Sequence, residues 1–251
     1  SAASDVYKRQ EVYMKQPMIG ISPRLTINEK NGYTFMQINM DYLKQITQRN
    51  GIPLILTPGE SFEAELMLCD GFLLIGGNDI NPMYYHQTND LGLSKEINDA
   101  EDKSDLRILQ HAIHTKKPLL GICRGIQDMA AFLNGSLHQD IEYAGLSHPE
   151  HEKKHYVEKV NLGNLSKLLP DKFLVNSFHH QAVNQVPVDF IVTYKNGDVI
   201  EAIEHRTLPI FGVQWHPERF YTKESEIIFN YFWEKIYEYR NNHSNENHLS
   251  R

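Results

Sequence analysis

One cysteine of the chain lies in a pattern that suits a nucleophile. Cys123 is the centre of a Gly-x-Cys-x-Gly sequence at residues 121–125, after an apolar run and before a helical pattern. This order predicts a nucleophile elbow, a sharp turn from strand to helix, with cysteine in place of serine. The flanking glycines remove Cβ atoms that would collide at the turn, and the start of the helix favours a thiolate over a thiol. The alternative is a buried apolar cysteine, which is common among free cysteines.

A nucleophilic thiol requires a base, and His216 is the best candidate. It follows the last apolar run, in the sequence Gln-Trp-His-Pro-Glu at 214–218. The ends of parallel strands lie at one edge of a sheet, so we expect Cys123 and His216 to meet there. His216 would accept the thiol proton and later donate a proton to a leaving amine, while Glu218 would hold the imidazole in the required tautomer. Considered alone, His216 could be an ordinary histidine at the end of a strand.

Apolar runs and helical patterns alternate along the first half of the chain. Short apolar runs predict buried strands, and apolar residues spaced by three and four predict helices. Strands are predicted at 18–22, 53–57, 71–75 and 118–122, and helices at 33–50, 63–69, 102–115 and 124–133, with a loop at 84–101. This alternation predicts an α/β fold with a mostly parallel sheet and helices on both faces.

The second half has a different pattern. Residues 190–194 and 199–203 flank Asn196-Gly197, the strongest short signal for a β-hairpin. The other elements predicted here are strands at 156–160 and 211–215 and a helix at 225–239. We therefore expect one α/β domain at 17–240 with a small antiparallel appendage. Residues 1–16 are expected to be a non-native or disordered leader, and residues 241–251 a polar tail.

Composition and charge exclude several classes of protein. The chain has 251 residues with 25 Lys and Arg against 32 Asp and Glu, a net charge of −7, which argues against general binding of nucleic acid or of anionic membranes. No run approaches the roughly 18 apolar residues of a transmembrane helix. The two cysteines, Cys69 and Cys123, cannot build a disulfide framework, and no apolar signal segment opens the sequence, so we expect a cytoplasmic protein. Cys69 has no glycine beside it in a turn and is predicted to be structural.

Several segments together resemble one known family. The sequences around Cys123 and His216, with residues 75–82, 135–140 and 175–181, resemble the class I glutamine amidotransferase superfamily and, within it, the γ-glutamyl-γ-aminobutyrate hydrolase branch. The likeness covers nearly the whole chain. It implies a flavodoxin-like sheet, a triad of Cys123, His216 and Glu218, and a γ-glutamyl thioester that water hydrolyses.

The same resemblance implies an oxyanion hole and a set of substrate contacts. The backbone N–H groups of Gly77 and Arg124 would bind the oxyanion, a role that suits exposed donors at a strand end and a helix start. A plain turn is the alternative for Gly76 and Gly77. The residues implied to contact the substrate are Gln127, Ser177, Phe178, His179 and His180.

Other polar residues in these segments have structural alternatives. His180 could be a cap instead of a substrate contact. The Arg124 side chain either acts in the site or packs against an acidic residue. Asp102 and Asp105 precede the cysteine strand and are predicted to cap a helix.

No cofactor or metal is expected. His148, His151 and His155, with Glu150 and Glu152, have spacing that is irregular for a metal site and predict a solvated loop. The chain has no phosphate-binding Gly-x-x-x-x-Gly-Lys-Ser/Thr sequence, which argues against nucleotide use. The expected partner is a small γ-glutamyl substrate. The family resemblance also implies that the protein forms a homodimer.

Three functions are compatible with these residues. The first is a stand-alone cysteine hydrolase that cleaves γ-glutamyl amides of small amines, of the γ-glutamyl-γ-aminobutyrate type. The second is a glutaminase subunit that delivers ammonia to a separate synthase. The third is a binding module that retains the fold without catalysis, which the joint presence of Cys123, His216 and Glu218 disfavours.

Overall fold

The computed structural model describes residues 16–147 and 153–249. In chain order its strands are β1 (Met18–Ser22), β2 (Arg24–Ile27), β3 (Thr34–Gln37), β4 (Ile52–Ile55), β5 (Gly71–Leu74), β6 (Leu119–Ile122), β7 (Ser136–His138), β8 (His155–Lys159), β9 (Lys172–Val175), β10 (Ala182–Gln185), β11 (Phe190–Asn196), β12 (Val199–His205) and β13 (Ile210–Val213). Its α-helices are α1 (Met40–Thr47), α2 (Phe62–Leu68), α3 (Asp99–Thr115), α4 (Arg124–Phe132) and α5 (Lys223–Leu249). None of these helices is long and apolar enough to cross a membrane.

Five parallel strands form the half of the sheet that carries the candidate site. Their order is β4-β1-β5-β6-β13, and every neighbouring pair in this order is parallel. The carboxyl ends of β5, β6 and β13 therefore lie side by side. The residues that follow these three strands include Gly77, Cys123 and His216, so the fold brings together segments that are far apart in the chain.

Helices cover both faces of this sheet. Alternate side chains of each central strand enter two separate apolar cores. Leu73 and Leu120 pack in the core that includes α1 and α5, whereas Phe72 and Leu119 pack in the core that includes α2, α3 and α4. The predicted α/β fold is confirmed.

The antiparallel part extends from β13. Strands β12, β11, β8 and β9 follow in order, each antiparallel to its neighbour, and β10 pairs with β12 and β7. The hairpin predicted at Asn196-Gly197 joins β11 to β12, and Gly197 has a φ of 55° at the turn. The patterns did not predict β7, β9 and β10, which have four residues or fewer, too few for an alternation to be recognised.

The helix predicted at 33–50 is wrong in its first third. Residues 34–37 form β3, which pairs with β2 in a separate two-stranded sheet. Gly32, with a φ of 72°, lies in the turn between them. The helix begins only at Met40, because the side chain of Asn39 accepts a hydrogen bond of 2.9 Å from the Asp41 N–H and so caps the helix.

Helix α5 is longer than predicted. It extends to Leu249 through most of the segment expected to be a polar tail. Residues 240–249 contain neither Pro nor Gly, so no residue type there breaks the helix. The predicted leader at 1–16 lies, except for Gln16, outside the described residues.

Candidate active site

Cys123 lies on a strained turn between β6 and α4. Its backbone has a φ of 56° and a ψ of −102°, a region that residues with side chains rarely adopt. Its N–H donates to the Val213 carbonyl at 2.9 Å, which ties the turn to the neighbouring strand. A Cβ at Gly125 would lie 2.6 Å from the Leu74 carbonyl oxygen, and one at Gly121 would lie 2.6 Å from Gly125. The two glycines therefore permit the close packing that a nucleophile elbow requires.

The two cysteines lie in contrasting surroundings. Cys69 is buried, its thiol donates to the Glu65 carbonyl, and burial raises the pKa of Cys69 to about 12. Cys123 is only partly buried and lines a cavity. Thiolate chemistry is therefore suppressed at Cys69, while Cys123 is open to a ligand.

His216 joins the cysteine to a carboxylate. A hydrogen bond of 2.7 Å connects His216 Nδ1 to Glu218 Oε1, and the imidazole lines the same cavity as Cys123, whose sulfur is close enough to act on it electrostatically. Both His216 and Glu218 are buried. Burial opposes the imidazolium, but the Cys123 sulfur and the Glu218 carboxylate outweigh it and raise the pKa of His216 to about 9. This arrangement favours a protonated imidazole beside the sulfur at neutral pH.

Two further residues position His216, and neither was predicted as part of the site. The Asn176 side chain accepts from the His216 N–H at 2.8 Å and donates to the His216 carbonyl at 2.9 Å. The Tyr42 hydroxyl lies 3.2 Å from His216 Nδ1 and accepts from the Gly76 N–H at 3.1 Å. Asn176 thus fixes the backbone of the histidine, and Tyr42 connects its ring to the glycine pair after β5.

The glycine pair lies beside the sulfur. A Cβ at Gly76 would lie 3.6 Å from the Cβ of Cys123 and 2.9 Å from Cε1 of His216. A Cβ at Gly77 would overlap Glu101 and would lie 2.8 Å from Cδ of Arg124. Since Gly76, Gly77 and Cys123 line one cavity, backbone donors of this segment are close to any carbonyl that the sulfur attacks.

The Arg124 side chain is buried away from this cavity and is surrounded by carboxylates. Its guanidinium pairs with Glu101 at 3.4 Å, Asp102 at 2.6 Å and Asp128 at 3.1 Å, and also with Asp105. Of the two alternatives for Arg124, packing against acidic residues is therefore the one observed. The backbone N–H of Arg124, at the start of α4, is a separate group from this guanidinium and is the one predicted to bind the oxyanion.

The prediction that Asp102 and Asp105 cap a helix is wrong. Helix α3 begins earlier, at Asp99, and its cap is Asn98, whose side chain accepts from the Ala100 and Glu101 N–H groups at 3.1 and 3.2 Å. The buried guanidinium explains the acidic pair, because it needs carboxylate partners in the interior.

Replacing Asp128 with asparagine is expected to reduce the pH dependence of stability. Burial raises the pKa of Asp128 from 3.8 to about 8, so the folded protein holds this proton more tightly than the unfolded chain. The resulting stabilisation is complete at acid pH and is lost as the pH rises towards about 8. The Tm of Asp128→Asn should therefore change less than the Tm of the wild type between about pH 5 and pH 8. His216 titrates in both proteins, so parallel curves would contradict this role of Asp128.

The cavity in front of Cys123 has a volume of about 540 Å³, within the range of small-molecule sites. Of the predicted substrate contacts, Phe178 lines it and packs edge-on against the His216 ring, with centroids 5.5 Å apart. Gln127, Ser177, His179 and His180 are not among its lining residues.

These four residues make contacts elsewhere. Gln127 is buried and donates to the Gln181 carbonyl and to the Gln214 side chain, both at 3.2 Å. Ser177 and His179 are buried, and His179 Nδ1 lies 2.9 Å from the Gln181 carbonyl.

His180 lies between Asp79 and Asp140, at 3.0 and 3.3 Å. Hydrogen bonding to Asp79 raises the pKa of His180. His180 therefore connects three loops.

The histidines considered for a metal site are only partly described. His148, Glu150, His151 and Glu152 lie outside the described residues, and His155 is 2.8 Å from Glu201. Within the described residues, no group of three or more His, Cys, Asp or Glu side chains is arranged to hold a metal ion.

A protein-family model, described as Peptidase C26, matches residues 17–218 of the chain, a range that contains the cysteine elbow and the histidine segment. The chain belongs to the Peptidase C26 family. The resemblance to the class I glutamine amidotransferase superfamily is thereby confirmed, and membership of the Peptidase C26 family implies hydrolase activity.

Individual relatives agree with this assignment. Protein NtpR of Enterococcus hirae is 30% identical over 234 residues, covering 86% of this chain and 98% of its own. The γ-glutamyl-γ-aminobutyrate hydrolase PuuD of Escherichia coli is 28% identical over 228 residues, covering 83% and 88%. The crystal structure of a glutamine amidotransferase from Thermotoga maritima matches with a TM-score of 0.56 at 19% identity, covering 81% of this chain and 76% of the other, which supports the fold.

Proposed function

We propose that this Peptidase C26 protein is a cysteine hydrolase that cleaves the γ-glutamyl amide bond of small γ-glutamyl-amines, with γ-glutamyl-γ-aminobutyrate as the leading candidate. The observation that carries the proposal is that Cys123 and His216 line one cavity and that His216 is hydrogen-bonded to the buried Glu218 behind it. The similarity to a γ-glutamyl-γ-aminobutyrate hydrolase supports the substrate class.

The proposed reaction has two halves. In the first, the Cys123 sulfur attacks the γ-carbonyl carbon, and the N–H groups of Gly77 and Arg124 stabilise the oxyanion. His216 donates its proton to the leaving nitrogen, the C–N bond breaks, and a γ-glutamyl thioester remains. In the second half, His216 takes a proton from water, hydroxide attacks the thioester, and glutamate leaves as the sulfur is released. The sulfur, imidazole and water suffice, so the proposal includes no cofactor.

A panel of γ-glutamyl amides tests this proposal. The purified chain is incubated with γ-glutamyl-γ-aminobutyrate, with γ-glutamyl conjugates of other amines and with glutamine, and the released glutamate is measured. Release of glutamate from the γ-glutamyl-amines by the chain alone is the expected result. Absence of release from all of them would reject the proposed function.

A glutaminase subunit is the second candidate. A relative in Schizosaccharomyces pombe that is described as a glutamine amidotransferase and is 30% identical over 208 residues favours it, and it would use the same three residues. The two functions differ in their preferred substrate and in their dependence on a partner. If glutamine were the best substrate, and a synthase were needed for full activity, the second candidate would replace the first. A cytoplasmic location and a homodimer stay predictions.

Replacing Glu218 with glutamine is expected to lower kcat by about 10–100-fold, less than a substitution of Cys123 or His216. Glu218 accepts a hydrogen bond from His216 Nδ1, and an amide oxygen can still accept that bond without stabilising the imidazolium as well. Steady-state kinetics of Glu218→Gln checks this expectation. An unchanged kcat would remove Glu218 from the proposed triad.

A further inference from the structure

Two arginines line the cavity from different sides of the cysteine. Arg24 begins β2, directly after β1, and Arg219 follows the histidine segment after β13. In the sheet, β1 and β13 flank the central strands β5 and β6. Because Cys123 follows β6 and Gly77 follows β5, the strand order places the segments that carry the two arginines on opposite sides of the nucleophile and the glycine pair.

Arg24 retains hydrogen-bonding capacity towards a ligand. Its Nη2 donates to Glu96 at 2.6 Å, but the Glu96 side chain is 72% exposed, so solvent weakens this pair. Its Nε is buried and has no hydrogen-bond partner within the described residues. A buried donor without a partner is costly, and a ligand carboxylate would satisfy it.

Arg219 is similarly available. Its guanidinium lies over the Phe178 ring at 5.0 Å, and its Nε forms an ion pair with Glu218 Oε1 at 3.6 Å, which is too long for a hydrogen bond and leaves the N–H donors of Arg219 for a ligand. The side chain is 38% exposed. No Asp or Glu is among the described residues that line the cavity. The site therefore presents two cations and no carboxylate to a ligand, which selects for anionic groups.

We propose that these arginines select substrates with a carboxylate on each side of the scissile amide, an inference that rests on the proposed function. Arg219 binds a carboxylate of the leaving amine, and Arg24 binds the α-carboxylate of the glutamyl group. The substrate class is thus γ-glutamyl conjugates of amino acids, whose amine carries its own carboxylate. γ-Glutamyl conjugates of amines without a carboxylate lack the contact with Arg219. Conjugates of diamines place an ammonium group near Arg219, which repels it.

The position of the base decides which arginine binds which carboxylate. The leaving nitrogen must lie within hydrogen-bond distance of His216 to receive a proton. Phe178 packs on the His216 ring and also contacts Arg219. The leaving amine therefore extends towards Arg219, and the glutamyl group extends towards Arg24.

A pair of matched substrates tests this assignment. γ-Glutamyl-γ-aminobutyrate and γ-glutamyl-n-butylamine have the same number of carbon atoms in the amine and differ in one carboxylate. We expect the wild type to prefer the first by about tenfold or more in kcat/KM, since a hydrogen bond to a charged group contributes that much. In Arg219→Gln this preference should disappear, because kcat/KM should fall at least about tenfold more for the γ-aminobutyrate conjugate than for the butylamine conjugate. Arg24→Gln should lower kcat/KM for both substrates alike.

The controls separate the possible failures. Arg107→Gln removes a partly exposed arginine that pairs with Glu63 outside the cavity. This variant should leave kcat/KM unchanged for both substrates. Arg219→Lys should retain part of the preference, because it keeps the charge. If Arg219→Gln lowered kcat/KM equally for both substrates, Arg219 would act through Glu218. If the wild type had the same kcat/KM for both substrates, the site would not select for the carboxylate. Either result overturns this inference and leaves the proposed function intact. No glutamate from either substrate with the wild type would reject both.

Discussion

Replacing Cys123 with serine is expected to lower the release of glutamate from γ-glutamyl amides by at least about 10⁴-fold, to background. The proposed reaction passes through a sulfur–acyl bond, and a hydroxyl beside His216 ionises far less readily than a thiol. The substitution preserves the size of the side chain, so the elbow can keep its φ of 56°. Steady-state assay of the purified variant with γ-glutamyl-γ-aminobutyrate measures the effect.

Cys69 offers a matched control for this variant. Cys69→Ala removes the other thiol of the chain, which is buried and whose pKa burial raises to about 12. We expect it to retain wild-type kcat. Iodoacetamide should in turn modify Cys123 in the native protein and spare Cys69. Turnover that survives in Cys123→Ser but is lost in Cys69→Ala would contradict the assignment of the nucleophile.

Replacing His216 with asparagine is expected to lower kcat nearly as much as the cysteine substitution, by at least about 10³-fold. The imidazole has two roles in the proposed reaction, since it favours the thiolate and transfers a proton to the leaving amine. An asparagine side chain has no group that can do either at neutral pH. The hydrogen bonds between Asn176 and the backbone of residue 216 do not involve the imidazole, so the segment should keep its place.

Alkylation of Cys123 separates the two roles of His216. In the wild type, the imidazolium with its pKa of about 9 should keep the sulfur reactive at pH 7. In His216→Asn the reaction with iodoacetamide should slow and should recover as the pH rises. Equal alkylation rates at pH 7 in the two proteins would show that the histidine does not activate the sulfur, and would contradict the proposed pairing.

The sequence predicted the parts of the site that short motifs encode. The glycines around Cys123 predicted the elbow, because a sharp turn between a buried strand and a helix leaves no space for Cβ atoms at those positions. The alternation of strands and helices then predicted a parallel sheet in which His216 would approach the cysteine, as observed.

The parts that were missed depend on long-range packing. Tyr42 belongs to the apolar face of a predicted helix, and nothing local to it indicates that its hydroxyl reaches His216. Arg24 belongs to a hairpin that the helical spacing at 33–50 concealed. Asp102 and Asp105 look like capping residues until the buried guanidinium of Arg124 is placed between them. The partners of Tyr42 and of the two aspartates lie at least 19 residues away along the chain, beyond any local pattern.

Trapping the acylated enzyme tests the central claim most directly. The wild type is mixed briefly with γ-glutamyl-γ-aminobutyrate, quenched in acid to preserve a thioester, digested and analysed by mass spectrometry. We expect a glutamyl adduct on the peptide that contains Cys123, sensitive to hydroxylamine and absent from Cys123→Ser. Glutamate released at the normal rate with no adduct on that peptide, or with the adduct on another residue, would contradict the account.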